Sequence, residues 1–160
     1  MIFFRIMVSH IFSILDKECY GKVLLLKFVG VSGCIITIDA MRTQKKIAKT
    51  IMEKDGDYIL AVKENHKTLY NDTALFLKKM ESMKKEGFAF DEYETVAVDH
   101  GRIETRKYVM TSDIDWLHDK ENWTGLKSLG RVESSRDIKG ECSHEKRYYI
   151  SSLDCDAKKF

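Results

Sequence analysis

Hydrophobic and polar positions along the 160-residue chain change their period from one stretch to the next, and the changes mark out elements. Residues 1–31 have no clear period; Leu24-Leu25-Leu26 and Phe28-Val29 fit a helix and a strand equally well. From Gly33 the pattern sharpens. Ile35, Ile36 and Ile38 are β-branched and read as a central, buried strand that delivers Asp39 to its C-terminal end. Ile47, Ala48, Ile51 and Met52 then fall on one helical face, with Lys45, Lys46, Lys49 and Glu53 outside it. Asp55-Gly56-Asp57 ends that helix, and Tyr58-Ile59-Leu60-Ala61-Val62 is a second buried strand. Strand, helix and strand in this order predict a parallel pair with a crossover, which brings Asp39 and Lys63 out at the same sheet edge. A longer helix follows, with Leu69, Thr73, Phe76, Met80 and Met83 as its buried stripe and Gly87 as its stop.

After Gly87 the pattern turns to alternation. Residues 93–98 predict a strand, Asp99-His100-Gly101 a turn, and residues 102–109 the hairpin partner. Residues 113–129 are mixed, with Trp116, Leu117, Trp123, Leu126 and Leu129 as core anchors. Residues 131–134 and 146–150 suggest a second hairpin that turns near Lys139-Gly140, and residues 154–160 read as the start of a helix that the chain cuts short. The expected class is α/β, in four stretches: 1–30, 31–87, 88–153 and 154–160. No internal repeat or low-complexity linker interrupts them.

Composition narrows the class without naming a partner. Hydrophobic residues make up 44% and charged residues 32%, which is globular rather than disordered. A net charge of +2 neither requires nor excludes nucleic acid. The charge is uneven: seven Lys/Arg against four acids lie between Met41 and Lys67, which fits either a phosphate-binding face or a solvated helix face. The four cysteines, Cys19, Cys34, Cys142 and Cys155, form no CxxC pair, which argues against a zinc site and for a reducing, cytoplasmic setting. The first 15 residues are strongly apolar, but a membrane span needs about 20. They also include Arg5 and His10 and no small-residue cleavage pattern, so no membrane partner is expected.

Three places can carry chemistry. Asp39 at a strand end is a metal ligand, a general base or a helix cap. In Lys63-Glu64-Asn65-His66, Lys63 can hold a phosphate and Asn65 can cap the next helix or orient a backbone, while a plain polar loop is the alternative and His66 is expected exposed. In Asp99–Arg106, His100 beside a glycine turn, with Arg102, Glu104 and Arg106 on one strand face, can grip phosphates or form cross-strand ion pairs. His118 and His144 have no partners at metal-ligand spacing, and nucleophile elbows, Walker loops and dinucleotide fingerprints are absent.

Several blocks, in this order and spacing, resemble one family. They are Ile36-Thr-Ile-Asp-Ala-Met41, Thr43-Gln-Lys-Lys-Ile-Ala48, Gly56-Asp-Tyr-Ile-Leu-Ala-Val-Lys63, Asp99-His-Gly-Arg-Ile-Glu-Thr-Arg106, Gly125-Leu-Lys-Ser-Leu-Gly-Arg-Val-Glu133 and Arg147-Tyr-Tyr-Ile-Ser-Ser-Leu153. From about Val31 to Phe160 the chain resembles the H-repeat-associated transposases of bacterial insertion sequences. The resemblance implies a DDE-type transposase with a ribonuclease-H-like core, in which three acids hold two divalent ions, usually Mg²⁺ (or Mn²⁺), for phosphoryl transfer. Asp39 matches the second acid. The resemblance makes 31–87 a partial ribonuclease-H-like core (strand, helix, strand, helix) and 88–153 its β-rich insertion. It makes the DNA at insertion-sequence ends the partner and leaves room for a homodimeric parent; by their charge and polarity, Lys45, Lys46, Lys63, Asn65, His100, Arg102 and Arg106 are the expected contacts to that DNA.

Departures accompany the resemblance. The first acid's Asp-Gly-Lys context is missing, and only Asp16 precedes Asp39. The third acid's His-Trp-x-x-Glu-Asn context is also missing, and residues 1–30 look like a shifted frame. Arg42 stands where the family has Gly, and Glu64 and His66 where Gly and Gln are common. The expectation is a fold incomplete at both ends and a truncated transposase inactive by itself. A residual DNA-binding module, or a poorly folding remnant with an unpaired sheet edge, is the alternative.

Overall fold

A computed structural model describes residues 5–7, 30–82, 90–99, 102–138 and 140–160. The N-terminal stretches with Asp16, Cys19 and Leu24–Val29 lie outside them, as do Met83, Gly87, His100, Gly101 and Lys139. The elements are β1 (Arg5–Met7), β2 (Ile35–Ile38), α1 (Lys45–Met52), β3 (Asp57–Val62), α2 (Lys67–Ser82), β4 (Phe90–Asp99), β5 (Arg102–Thr111), β6 (Ser128–Ile138) and β7 (Glu141–Ser151). Short 3₁₀ turns at Ala40–Arg42 and Glu64–His66 follow β2 and β3.

The described strands form one sheet in the order β1-β2-β3-β7-β6-β5-β4. β2 and β3 are parallel, with Ile38 opposite Leu60, as the strand-helix-strand pattern requires. Both hairpins form, with Asp99 opposite Arg102 in one and Ile138 opposite Glu141 in the other. Gly140 holds the second turn at φ +90°, a conformation that favours glycine, and its N–H donates to Asp137 at 2.9 Å.

Two features were not legible beforehand. The hairpin region is continuous with the core sheet, because β7 pairs antiparallel with β3 and sets Tyr148 opposite Val62. Eleven residues let one end of β7 lie on β3 while the other projects with β6. The second is that β1 pairs in parallel with β2, Arg5 opposite Ile35, so β2 is an inner strand of the sheet.

The sheet buries its two faces unequally. Ile36, Ile38, Tyr58, Leu60, Val62, Leu129 and Ile150 face Ile47, Ala48 and Ile51 of α1 and Leu69 of α2, and the anchors Leu117, Trp123 and Leu126 close the cluster. Each such side chain stabilises the fold by about 1.5–3 kcal/mol relative to exposure. Trp116 is half-buried and stacks on Phe76, with ring centroids 4.3 Å apart.

On the opposite face a smaller cluster gathers Ile35, Ile59, Met110, Ala157 and Phe160. The helix expected at 154–160 is instead a single turn. The Asp156 carboxylate accepts from the Lys158 and Lys159 N–H groups at 3.2 and 3.1 Å, and Ala157 N–H donates to Asp91 at 2.8 Å. These bonds direct Phe160 onto Gly130, edge-on to Tyr149 at 5.3 Å. Among the described residues, the opposite face is therefore covered at one end and bare at the other, where Asp39 emerges.

Candidate active site and nucleic-acid interface

Asp39 ends β2 in an extended conformation, φ −70° and ψ 153°, and caps the Ala40–Arg42 turn. Its Oδ1 accepts the Ala40 N–H at 2.7 Å. Capping and metal ligation were alternatives on sequence grounds, but they are compatible here. The cap occupies one carboxylate oxygen of an exposed side chain that lines two concavities.

The turn after Asp39 is tethered to β3 and to the loop behind it. Thr43 Oγ1 donates to Ala61 O at 2.6 Å, and Asn65 Nδ2 donates to Ala40 O at 2.7 Å. His66 Nε2 lies 2.8 Å from Thr43 O, and its ring meets Trp123 edge-on at 5.3 Å. His66 is thus half-buried and structural, not the exposed loop residue expected. Of the roles expected of it, Asn65 takes that of orienting a backbone.

The larger concavity, about 570 Å³, opens on the face opposite α1 and α2; Asp39, Lys63, Arg106, Arg136, Arg147 and Tyr149 are among its lining residues. The smaller, about 340 Å³, lies on the other side of the same sheet edge and also takes Asp39, Lys63, Asn65 and Arg147 into its wall. Asp39 and Lys63 emerge at the same sheet edge because β2 and β3 are parallel; with Ile38 opposite Leu60, Asp39 is level with Ala61, two residues before Lys63. Arg147 joins them because Val62 opposite Tyr148 puts residue 147 beside the end of β3.

The charges are partly compensated. Glu104, largely buried, takes Arg106 at 2.6 Å, Arg102 at 3.4 Å and Arg136 at 3.8 Å. The hydrogen bond from Arg106 is the main reason its carboxyl sits below the usual glutamate range, and the charges of all three arginines add to it. Glu145 is likewise held low, first by the two-point bond from Arg147 at 2.8 and 3.1 Å, with help from Lys63 and Arg136. Cross-strand ion pairs therefore form, yet three guanidinium groups around one carboxylate leave positive charge on the strand face. Burial raises the Tyr149 phenol at the groove floor above its ordinary value.

The structure gathers Asp39, Lys63, Asn65 and Arg106 at this edge and places the other expected residues elsewhere. Lys45 pairs with Asp119 at 2.8 Å, and Lys46 lies exposed on α1; neither lines a concavity. Arg102 sits at the hairpin end on Glu104. His100 lies outside the described residues. Sequence reasoning missed Arg136 and Arg147. Arg147 stands in a recognisable block, but only the β3–β7 pairing carries it to Asp39.

As a donor, Asp39 fits a hard divalent ion at one coordination position. Among the described residues, no group of three or more His, Cys, Asp or Glu side chains is placed to hold a metal. Also among them, no helix is long and apolar enough to cross a membrane.

No family model matches the sequence. Over 132 residues it is 42% identical to an uncharacterized protein in the dhlA 3′ region of Xanthobacter autotrophicus, covering 82% of this chain and 43% of that one. Over 140 residues it is 39% identical to "Putative transposase YncI" of Escherichia coli O157:H7, covering 85% and 35%. Over 143 residues it is 37% identical to "H repeat-associated putative transposase YhhI" of Escherichia coli K12, covering 85% and 36%. The chain thus spans well under half the length of these relatives. Over most of its own length, the chain is a homologue of proteins named H repeat-associated putative transposases.

Proposed function

We propose that this chain carries a central part of the strand-transfer region of a DDE-type insertion-sequence transposase, with Asp39 as one of its metal-binding carboxylates. The observation that carries the reading is the meeting of Asp39 and Lys63 at the ends of two parallel strands, on the rim of a groove that Arg106, Arg136 and Arg147 also line. The C-terminal edge of parallel strands is where α/β sheets place their chemistry. Lys63 and Arg147 hold phosphate oxygens next to Asp39, and Arg106 and Arg136 continue the contact along the backbone of the DNA. A bound Mg²⁺ or Mn²⁺ would supply activation of the attacking oxygen and neutralisation of the leaving one. In this reading residues 31–87 are part of a ribonuclease-H-like core and the hairpins are its insertion.

Asp39 alone does not make a two-ion centre, because Mg²⁺ sheds water reluctantly and needs several fixed oxygens. The described residues bring no further metal-binding cluster to Asp39, and on this reading the chain by itself cleaves no DNA. The test is incubation with DNA bearing the element's ends and Mg²⁺ or Mn²⁺. No cleavage is expected, and cleavage that disappears in Asp39→Ala would overturn the inactivity.

The groove favours a second reading, a DNA-binding module without catalysis. It requires a mobility shift that weakens steeply with salt. Absence of a shift at low salt would count against it.

A further inference from the structure

The loop after β3 does more to the Asp39 turn than closing it requires. The turn is complete without help: Arg42 N–H reaches Asp39 O at 2.9 Å and Thr43 N–H reaches Ala40 O at 3.2 Å. The Ala40 carbonyl therefore already has a partner. Asn65, exposed and 25 residues further on, gives its amide to the second lone pair of that carbonyl at the shorter distance of 2.7 Å. Ala40 is fully buried, so its peptide groups have little freedom to find other partners. The Ala40 N–H holds Asp39 Oδ1 while the Ala40 C=O is held by Asn65, and the residue thus couples the carboxylate to the loop. His66 steadies the other end of the same turn through Thr43 O.

We propose that Asn65 is a positioning residue: its amide fixes the Ala40 backbone, and through the Ala40 N–H it sets where the Asp39 carboxylate points. The claim that this direction serves a divalent ion rests on the reading of Asp39 given above; the claim that Asn65 orders the turn does not. Partners that orient a ligating side chain characteristically change metal affinity when removed, without unfolding the protein.

The experiment uses the full chain labelled with ¹⁵N, Mn²⁺ as the probe, and the variants Asn65→Leu, Asn65→Ala and Asp39→Asn. In the wild type, Mn²⁺ broadens the Ala40 amide, and Asp39→Asn abolishes this. In Asn65→Leu the Mn²⁺ concentration that half-broadens Ala40 rises about tenfold. Without metal, the Ala40 amide exchanges about tenfold faster while the Ile36 and Tyr58 amides keep their wild-type rates. Asn65→Ala serves in the same comparison if the leucine variant does not fold. Unchanged Ala40 exchange overturns the positioning role, and so does faster exchange at Ile36 and Tyr58 as well, because that marks a general loss of structure. A wild-type protein in which Mn²⁺ leaves Ala40 sharp overturns the metal reading of Asp39, while exchange at Ala40 still decides the role of Asn65.

Discussion

Single residues carry two kinds of information here, and only one was legible in the sequence. Asp39 could be placed at a strand end from the β-branched run before it, because that inference needs only local pattern. The partners of His66, Thr43 O and Trp123, come from other segments, so no local signal distinguished it from an exposed loop histidine. Gly130 is a similar case. A Cβ there would lie 2.6 Å from the Phe160 ring, so Gly130→Ala must displace the C-terminal turn and is expected to destabilise the protein by about 1–3 kcal/mol in urea unfolding. Glu104 gives a pH prediction. Its folded-state carboxyl lies below the ordinary value, chiefly through the Arg106 hydrogen bond, so the ionised form favours the fold. That contribution is present above the unfolded value of about 4.3 and is lost as pH falls through the lower folded value. Thermal melts from pH 6 down to pH 3, about the range in which a glutamate titrates, are expected to lose less midpoint for Glu104→Gln than for the wild type.

At the scale of elements, the strand-helix-strand unit was readable because three periods succeed one another cleanly and Asp55-Gly56-Asp57 separates the second from the third. The short C-terminal turn was not. Residues 154–160 resemble a helix start, but Asp156 satisfies the next backbone N–H groups itself, and packing Phe160 against Tyr149 decides the path. The β3–β7 pairing was hidden for a more general reason: alternation specifies which side of a strand is buried, not which strand lies beside it. Ile150 marks that junction, fully buried opposite Leu60 and Leu129. Ile150→Ala is expected to cost about 2–5 kcal/mol, since it opens a cavity where the two halves of the sheet join. Leu75→Ala, on the exposed side of α2, is expected to stay within about 0.5 kcal/mol. Equal effects in chemical denaturation would contradict this account of the junction.

For the molecule as a whole, the sheet continuing through β7 makes the core and the hairpins one cooperative unit, and two buried clusters lie on its opposite faces. A single cooperative thermal transition by circular dichroism is expected, and a broad, non-cooperative loss of signal would instead indicate a poorly folding remnant. The edge strand β4 carries Asp91, Glu92, Glu94 and Asp99 and no basic residue, which discourages pairing with a second copy of itself. Lys63, Arg106, Arg136 and Arg147 gather instead in the groove on the face opposite α1 and α2, together with Asp39. That arrangement underlies the central claim, that DNA lies along this face. Its most direct test is a fluorescence titration of labelled element-end DNA at several salt concentrations, comparing the wild type with Arg106→Ala and Arg147→Ala. The account predicts affinity that falls steeply with salt, and a salt slope lower by about one in each variant. Binding that is absent at low salt, or that has the same slope in all three proteins, would contradict it.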